Sequence, residues 1–193
     1  MYELPTTVPV AGTVYNIRNK ADYRVILDVI ATCEDAELTN EEQIIISLII
    51  FYDVLDSVES VFETFNTSEL FEEALQAMMN FIGCYDDDIG YRTQHKVVDW
   101  VQDEQLIVSA VNKVAQTEIR ALEYLHWWTF IGYYMAIGEC TLSTIVGIRD
   151  KIARGKKLDD FEREFKRDNP QYFRWKVEQS ESNKLLEEIW NKD

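Results

Sequence analysis

The chain of 193 residues is short of the residues that specialised chemistry needs. It has three cysteines, Cys33, Cys84 and Cys140, an odd number with no CxxC pair, which excludes both a disulfide framework and a zinc site of the usual spacing. Its two histidines, His95 and His126, do not stand in the HExxH spacing that puts two imidazoles on one helix face, and no serine lies in a GxSxG elbow. Seven glycines and three prolines leave little room for a multi-stranded sheet with its turns. The longest apolar stretch, residues 44–52, is interrupted by Ser47 and falls well short of the roughly 20 residues that span a bilayer. The first residues show no basic region followed by an apolar run, so neither secretion nor membrane embedding is expected.

Basic residues are scarce as well. Nineteen Lys and Arg against 35 Asp and Glu give a net charge of −16, which repels a phosphate backbone and offers little to an anionic membrane surface, so neither nucleic acid nor a membrane is expected as partner. The acids themselves build no recognisable site. Asp86-Asp87-Asp88 suggests calcium, but an EF-hand loop started at Asp86 meets Gly90 where its fifth position needs an oxygen ligand. The stretch GIRDKIARGKK has a glycine and paired lysines, yet Lys157 stands where a phosphate loop needs its hydroxyl. With no catalytic, metal or cofactor motif in place, a non-enzymatic protein without cofactors is expected.

What the chain does have is helical periodicity. After an expected hairpin, residues 6–10 and 13–17 around Ala11-Gly12, apolar positions recur at three-and-four spacing. Tyr23, Ile26, Leu27 and Ile30 form one such face. Thr39 and Glu42 form a capping box, after which Ile44, Leu48, Phe51, Leu55, Val58 and Phe62 continue one helical period. Thr67 or Ser68 caps a further helix with Phe71, Leu75, Met78, Met79 and Ile82 as its buried stripe and Gly83 as its end. Beyond a loop over residues 84–95, the stretches VVDWVQDEQLIVSAVNKVA, EIRALEYLHWWTFIGYYMAI, TLSTIVGIRDKIA and LDDFEREFKR each show helical spacing, and Asn169-Pro170 opens a last helix. The expected fold is mainly α, a multi-helix bundle with a small N-terminal β-hairpin. Residues 1–83 hold the hairpin and first helices and residues 96–193 the C-terminal helical part, together one compact domain.

Two features stand out as candidate binding elements. Residues 123–135 hold His126, Trp127, Trp128, Phe130, Tyr133 and Tyr134 within a dozen positions. Drawn as one helix, Ala121, Leu125, Trp128, Gly132 and Met135 share a face and Tyr124, Trp127, Ile131 and Tyr134 a neighbouring one, so the segment is either central to its own domain or shared with another protein. On that drawing Trp128 is a core residue. The second feature is residues 149–176, which carry ten Lys and Arg and six Asp and Glu on an otherwise acidic chain. Through Lys156, Lys157, Lys166 and Arg167 this segment is able to meet the acidic body of another copy head to tail, or to pair with its own neighbours Asp159, Asp160, Glu162 and Glu164.

The stretch EYLHWWTF, followed by a short turn and STIVGIR with Arg149 at its end, resembles the signature of the bacteriophage gene-product-fifteen family, an LHWW-x-F core and then an I-x-x-(Y)R element. LPTTVPVAGTVYNI, LTNEEQIIISLIIFY, EEALQAMMNFIGC and DEQLIVSAVNKV resemble the family's opening hairpin and successive helices in order. Val146-Gly147-Ile148 departs from the pattern where an aromatic often precedes the arginine. The resemblance implies an α-helical protein encoded between the tail tube and tape-measure genes of long-tailed phages. It also implies a tail assembly chaperone that binds tape-measure and tail tube proteins in the cytoplasm of the infected host and is missing from the mature virion. A permanent tail-completion or connector subunit, or a small regulator of host defence, are the alternatives.

Overall fold

The computed structural model describes residues 3–85 and 96–175. The acid triplet at 86–88 and His95 lie outside the described residues. A two-stranded antiparallel hairpin, β1 (Thr7–Val10) and β2 (Thr13–Asn16), opens the chain. Val8 and Val10 point inward and are fully buried, while Pro9 points away. The two turn residues, Ala11 and Gly12, both have positive φ, at 47° and 80°. That is the primed turn whose twist suits the right-handed twist of the strands.

Eight α-helices follow among the described residues. α1 (Tyr23–Glu34) starts at Asp22, whose carboxylate accepts from the Arg24 amide. Tyr23, Val25, Ile26 and Val29 are buried, and Leu27 and Ile30 pack half-buried against them. α2 (Asn40–Phe51) begins with the capping box expected of Thr39 and Glu42. It stops eleven residues before Phe62, against the expected continuous period. Tyr52 turns extended and forms a bridge with Ile17, and the Asp53 amide donates to the Asn16 carbonyl at 3.1 Å. The carbonyls freed at the helix end are taken by one side chain: the Arg18 guanidinium donates to Ile49, Ile50, Tyr52 and Leu55. A cation at a helix C-terminus also complements the helix dipole. Ser57 then caps a separate short helix, α3 (Val58–Thr64), and leaves Val58 and Phe62 exposed.

α4 (Ser68–Ile82), capped by Thr67, buries Ala74, Met78 and Phe81. Met79, expected in that stripe, is exposed, and Phe71, Leu75 and Ile82 are half-buried. The helix ends at Gly83, with Cys84 and Tyr85 in the left-handed region. α5 (Glu104–Ala115) starts later than its periodicity suggests, because residues 97–103 form loop and turn, from which Trp100 still packs on the core. α6 (Trp127–Met135), α7 (Thr141–Ala153) and α8 (Asp160–Asp168) complete the set, and Asn169-Pro170 opens a 3₁₀ turn where a helix was expected. One core joins β1, α1, α2, α4, α5 and α6, with Tyr52, Phe51, Phe65, Phe81, Trp127 and Phe130 as its largest fully buried side chains.

Candidate functional site

The aromatic stretch is not one helix. A 3₁₀ turn at Ile119–Ala121 is followed by a bend and an irregular stretch, and His126 is the cap of α6: its Nδ1 accepts from the Trp128 amide at 3.0 Å. Capping by an imidazole leaves Nε2 protonated, and it donates to the Pro5 carbonyl at 2.8 Å. Ala121 and Leu125 therefore precede the helix and share no face with Trp128. Trp127 and Phe130 point inward and are buried, Trp128, Tyr133 and Tyr134 are half-buried, and Gly132 and Met135 are exposed. The expectation that Trp128 is the core residue is corrected to Trp127, since an element that starts at Trp127 rotates the buried face.

The motif works as a clasp. Both indole N–H groups donate to the end of α4, Trp127 to the Ile82 carbonyl at 2.9 Å and Trp128 to the Phe81 carbonyl at 3.1 Å. These are carbonyls that a helix end leaves without intrahelical partners. On the other side, the Tyr23 amide donates to the Leu125 carbonyl and the Trp127 amide to the Ala21 carbonyl, both at 2.8 Å. The buried Asp22 carboxylate accepts from the Leu125 amide and from Arg24. Leu125, His126, Trp127 and Trp128 thus tie α6 to the starts of β1 and α1 and to the end of α4. Tyr133 and Tyr134 pack against the same core, Tyr134 with its ring 5.1 Å from that of Trp100.

Burial lowers the His126 pKa from its ordinary value, with the Pro5 hydrogen bond acting in the opposite direction. Its neutral form is the one the fold stabilises. The His126 contribution is complete above about pH 6.5, where the unfolded imidazole is neutral, and is lost as pH falls through the lower folded value. Thermal unfolding followed from pH 8 to pH 5 is expected to show a loss of stability that His126→Asn reduces, because asparagine still caps a helix and does not titrate. Equal pH slopes for both proteins would assign the loss to other groups.

Arg149 has all five of its N–H donors engaged. It forms a two-pronged pair with Asp103 at 2.5 and 3.0 Å, donates twice to the Tyr172 carbonyl and once to the Val97 carbonyl. Its guanidinium also lies 4.4 Å from the centre of the Trp175 ring. Arg149 is thereby buried inside the chain, joining α7 to the start of α5 and to the segment after α8. Of the four other basic candidates, Arg167 pairs with Glu164 and Asp168 on its own helix. Lys156, Lys157 and Lys166 are exposed and make no ion pair among the described residues. Their neighbours Asp160 and Glu162 pair instead with Arg163 and Lys151.

A surface the aromatic stretch does not supply lies on the opposite end of the chain's first half. α2, α3 and the start of α4 enclose an open groove of about 590 Å³. Ile45 and Phe65 form its buried floor, and Ile44, Phe62 and Phe71 its walls. Phe62 is 51% exposed, with its ring parallel to that of Phe71 at 6.5 Å. Glu41 and Glu72 stand at the rim, and among the described residues no Lys, Arg or His lines it. Two carboxylates on the same helices are held ionised below the usual range, Glu42 by the Thr39 amide and hydroxyl, and Glu69 by backbone and the hydroxyls of Thr67 and Ser68. A smaller cleft of about 330 Å³ between α1 and α5 has Phe130 in its floor and charges of both signs around it.

The family model described as Bacteriophage Gp15 protein matches residues 1–173. The chain belongs to that family. It is a bacteriophage protein, and the LHWW and arginine elements of its sequence are, in three dimensions, the clasp between α4 and α6 and the Arg149 junction. Searches of curated proteins and of solved structures returned no match. Sequence reading missed Asp103, Arg18 and the groove. Asp103 and Arg18 gave no periodic signal, and the groove is made by the break between α2 and α3 that periodicity ran through.

Proposed function

We propose that this phage protein is a non-enzymatic tail assembly chaperone, which binds the tape-measure protein, the tail tube protein or both while the tail is built in the cytoplasm of the infected cell. The observation that carries the reading is the open apolar groove with Phe62 and Phe71 in its walls on a strongly acidic surface. A long helical client with an exposed apolar stripe needs a partner that covers the stripe while staying soluble, and helix-in-groove binding does this without chemistry. Membership of a bacteriophage family supplies the setting that this reading requires. Co-expression with the tape-measure protein encoded beside it is expected to raise that protein's soluble yield and to give a complex that co-purifies. Mass spectrometry of purified virions is expected to find the chain missing. Stoichiometric amounts in virions would make it a structural subunit, and no complex with either tail protein would end the chaperone reading.

A further inference from the structure

The groove's surroundings narrow what it accepts. Residues 25–91 contain 16 Asp and Glu and no Lys, Arg or His, whereas the rest of the chain is neutral, with 19 acids against 19 bases. The entire net charge of −16 therefore belongs to the stretch that includes α2, α3 and α4, the three helices that form the groove. Among the described residues that stretch offers no cation to offset a carboxylate approaching the groove. The charged side chains that line the groove, Glu41 and Glu72, are both acidic, while the cations that reach this half of the molecule are engaged elsewhere, Arg18 on the last carbonyls of α2 and Lys96 on Glu34.

We propose that the α2–α4 groove binds an amphipathic helix whose apolar stripe is flanked by Lys and Arg. The proposal rests on the client-binding reading above and names the chemistry of the client segment. Apolar residues at i, i+3 or i+4 and i+7 would lie against Ile44, Phe62 and Phe71, and flanking cations would face Glu41 and Glu72 at the rim. An otherwise identical helix with acidic flanks meets like charge at Glu41 and Glu72, so the discrimination comes as much from repulsion of the wrong partner as from attraction of the right one. Within one chain, Arg154, Arg163 and Arg167 of the segment after Arg149 are engaged in ion pairs, and among the described residues no Lys or Arg lines the groove.

The test uses the full chain and two fluorescein-labelled peptides of about 18 residues, long enough to sustain a helix, with one shared Leu/Ala stripe and either Lys/Arg or Glu flanks. Anisotropy is expected to show the basic peptide binding at least about tenfold more tightly at low salt, with the preference shrinking toward 1 M salt, where the screening distance falls to about 3 Å. Phe62→Ala, at an exposed ring, is expected to weaken the basic peptide, and Glu41→Lys with Glu72→Lys to remove most of the preference, with thermal unfolding unchanged enough to show folded protein. Equal binding of both peptides at all salts would overturn the charge selectivity and leave apolar client binding standing. Binding of neither, together with a soluble co-expressed tape measure, would overturn the groove as the docking site and leave the chaperone reading intact. Displacement by a peptide copying residues 176–193 as effective as by the basic peptide would make the groove a site for the chain's own end, overturning the proposal. A change in sedimentation of the protein alone on charge reversal at Glu41 and Glu72 would assign the groove to a second copy and overturn it equally.

Discussion

Trp127→Ala is expected to lower stability by about 3–5 kcal/mol, the range for deleting a buried aromatic side chain from a packed core. The ring is 2% exposed, lies against Trp100 and Phe130, and its N–H serves the Ile82 carbonyl, so truncation leaves a cavity and an unpaired helix-end acceptor together. Against a typical total of about 5–15 kcal/mol this is a large share, and a fall in melting temperature on the order of 10 °C follows for a chain of this length. Trp128→Ala is the comparison. Trp128 is half-buried against Phe81 and Tyr85, and its loss is expected to cost about 1–2 kcal/mol. Urea unfolding of both variants checks the order. A larger loss for Trp128 than for Trp127 would mean that α6 is rotated relative to the geometry described here.

The second large effect is expected at Asp103. Asp103→Ala removes the carboxylate from a guanidinium that is 5% exposed, and an uncompensated buried charge costs about 3–5 kcal/mol. Changing both partners, Asp103→Leu with Arg149→Met, removes the unpaired charge but still leaves the Tyr172 and Val97 carbonyls without their donor, at about 1–3 kcal/mol each if buried. The pair is therefore expected to be strongly non-additive, with the double variant well short of the sum of the single ones. A double-mutant cycle in denaturant measures this directly. Additive losses would show that Arg149 and Asp103 act separately, and the junction between α5, α7 and the segment after α8 would need another account.

Several elements were legible because their signals are local. Thr39 and Glu42 mark the start of α2 by a reciprocal pair of hydrogen bonds three residues apart, Thr67 starts α4, and Ala11-Gly12 turns the hairpin. The positions of α1 and α7 follow from apolar spacing in the same way. Where the reading failed, a residue distant in the chain had intervened. Periodicity runs unbroken from Ile44 to Phe62, yet Arg18, more than 30 residues away, takes the carbonyls at Ile49, Ile50, Tyr52 and Leu55 and ends the helix. Apolar spacing likewise drew residues 121–135 as one helix, whereas the bridge between Asp22 and His126 holds the histidine out of the helix and makes it a cap.

The sequence by itself determined that this is a helical, acidic phage protein of the Gp15 family, because composition, capping pairs and the LHWW and arginine motifs are properties of neighbouring residues. Only the tertiary structure decided what those residues do. Trp127 and Trp128 differ by one position in the chain, but a helix turns about 100° per residue, so one indole enters the core and the other stays at its margin. Phe62 and Phe71, unremarkable members of two apolar stripes, meet across the gap left when α2 stops at Phe51 and become the walls of a groove. A stripe records only that one side of a helix prefers to leave water; which neighbour covers it, or whether any does, depends on contacts between residues that the chain brings together only by folding.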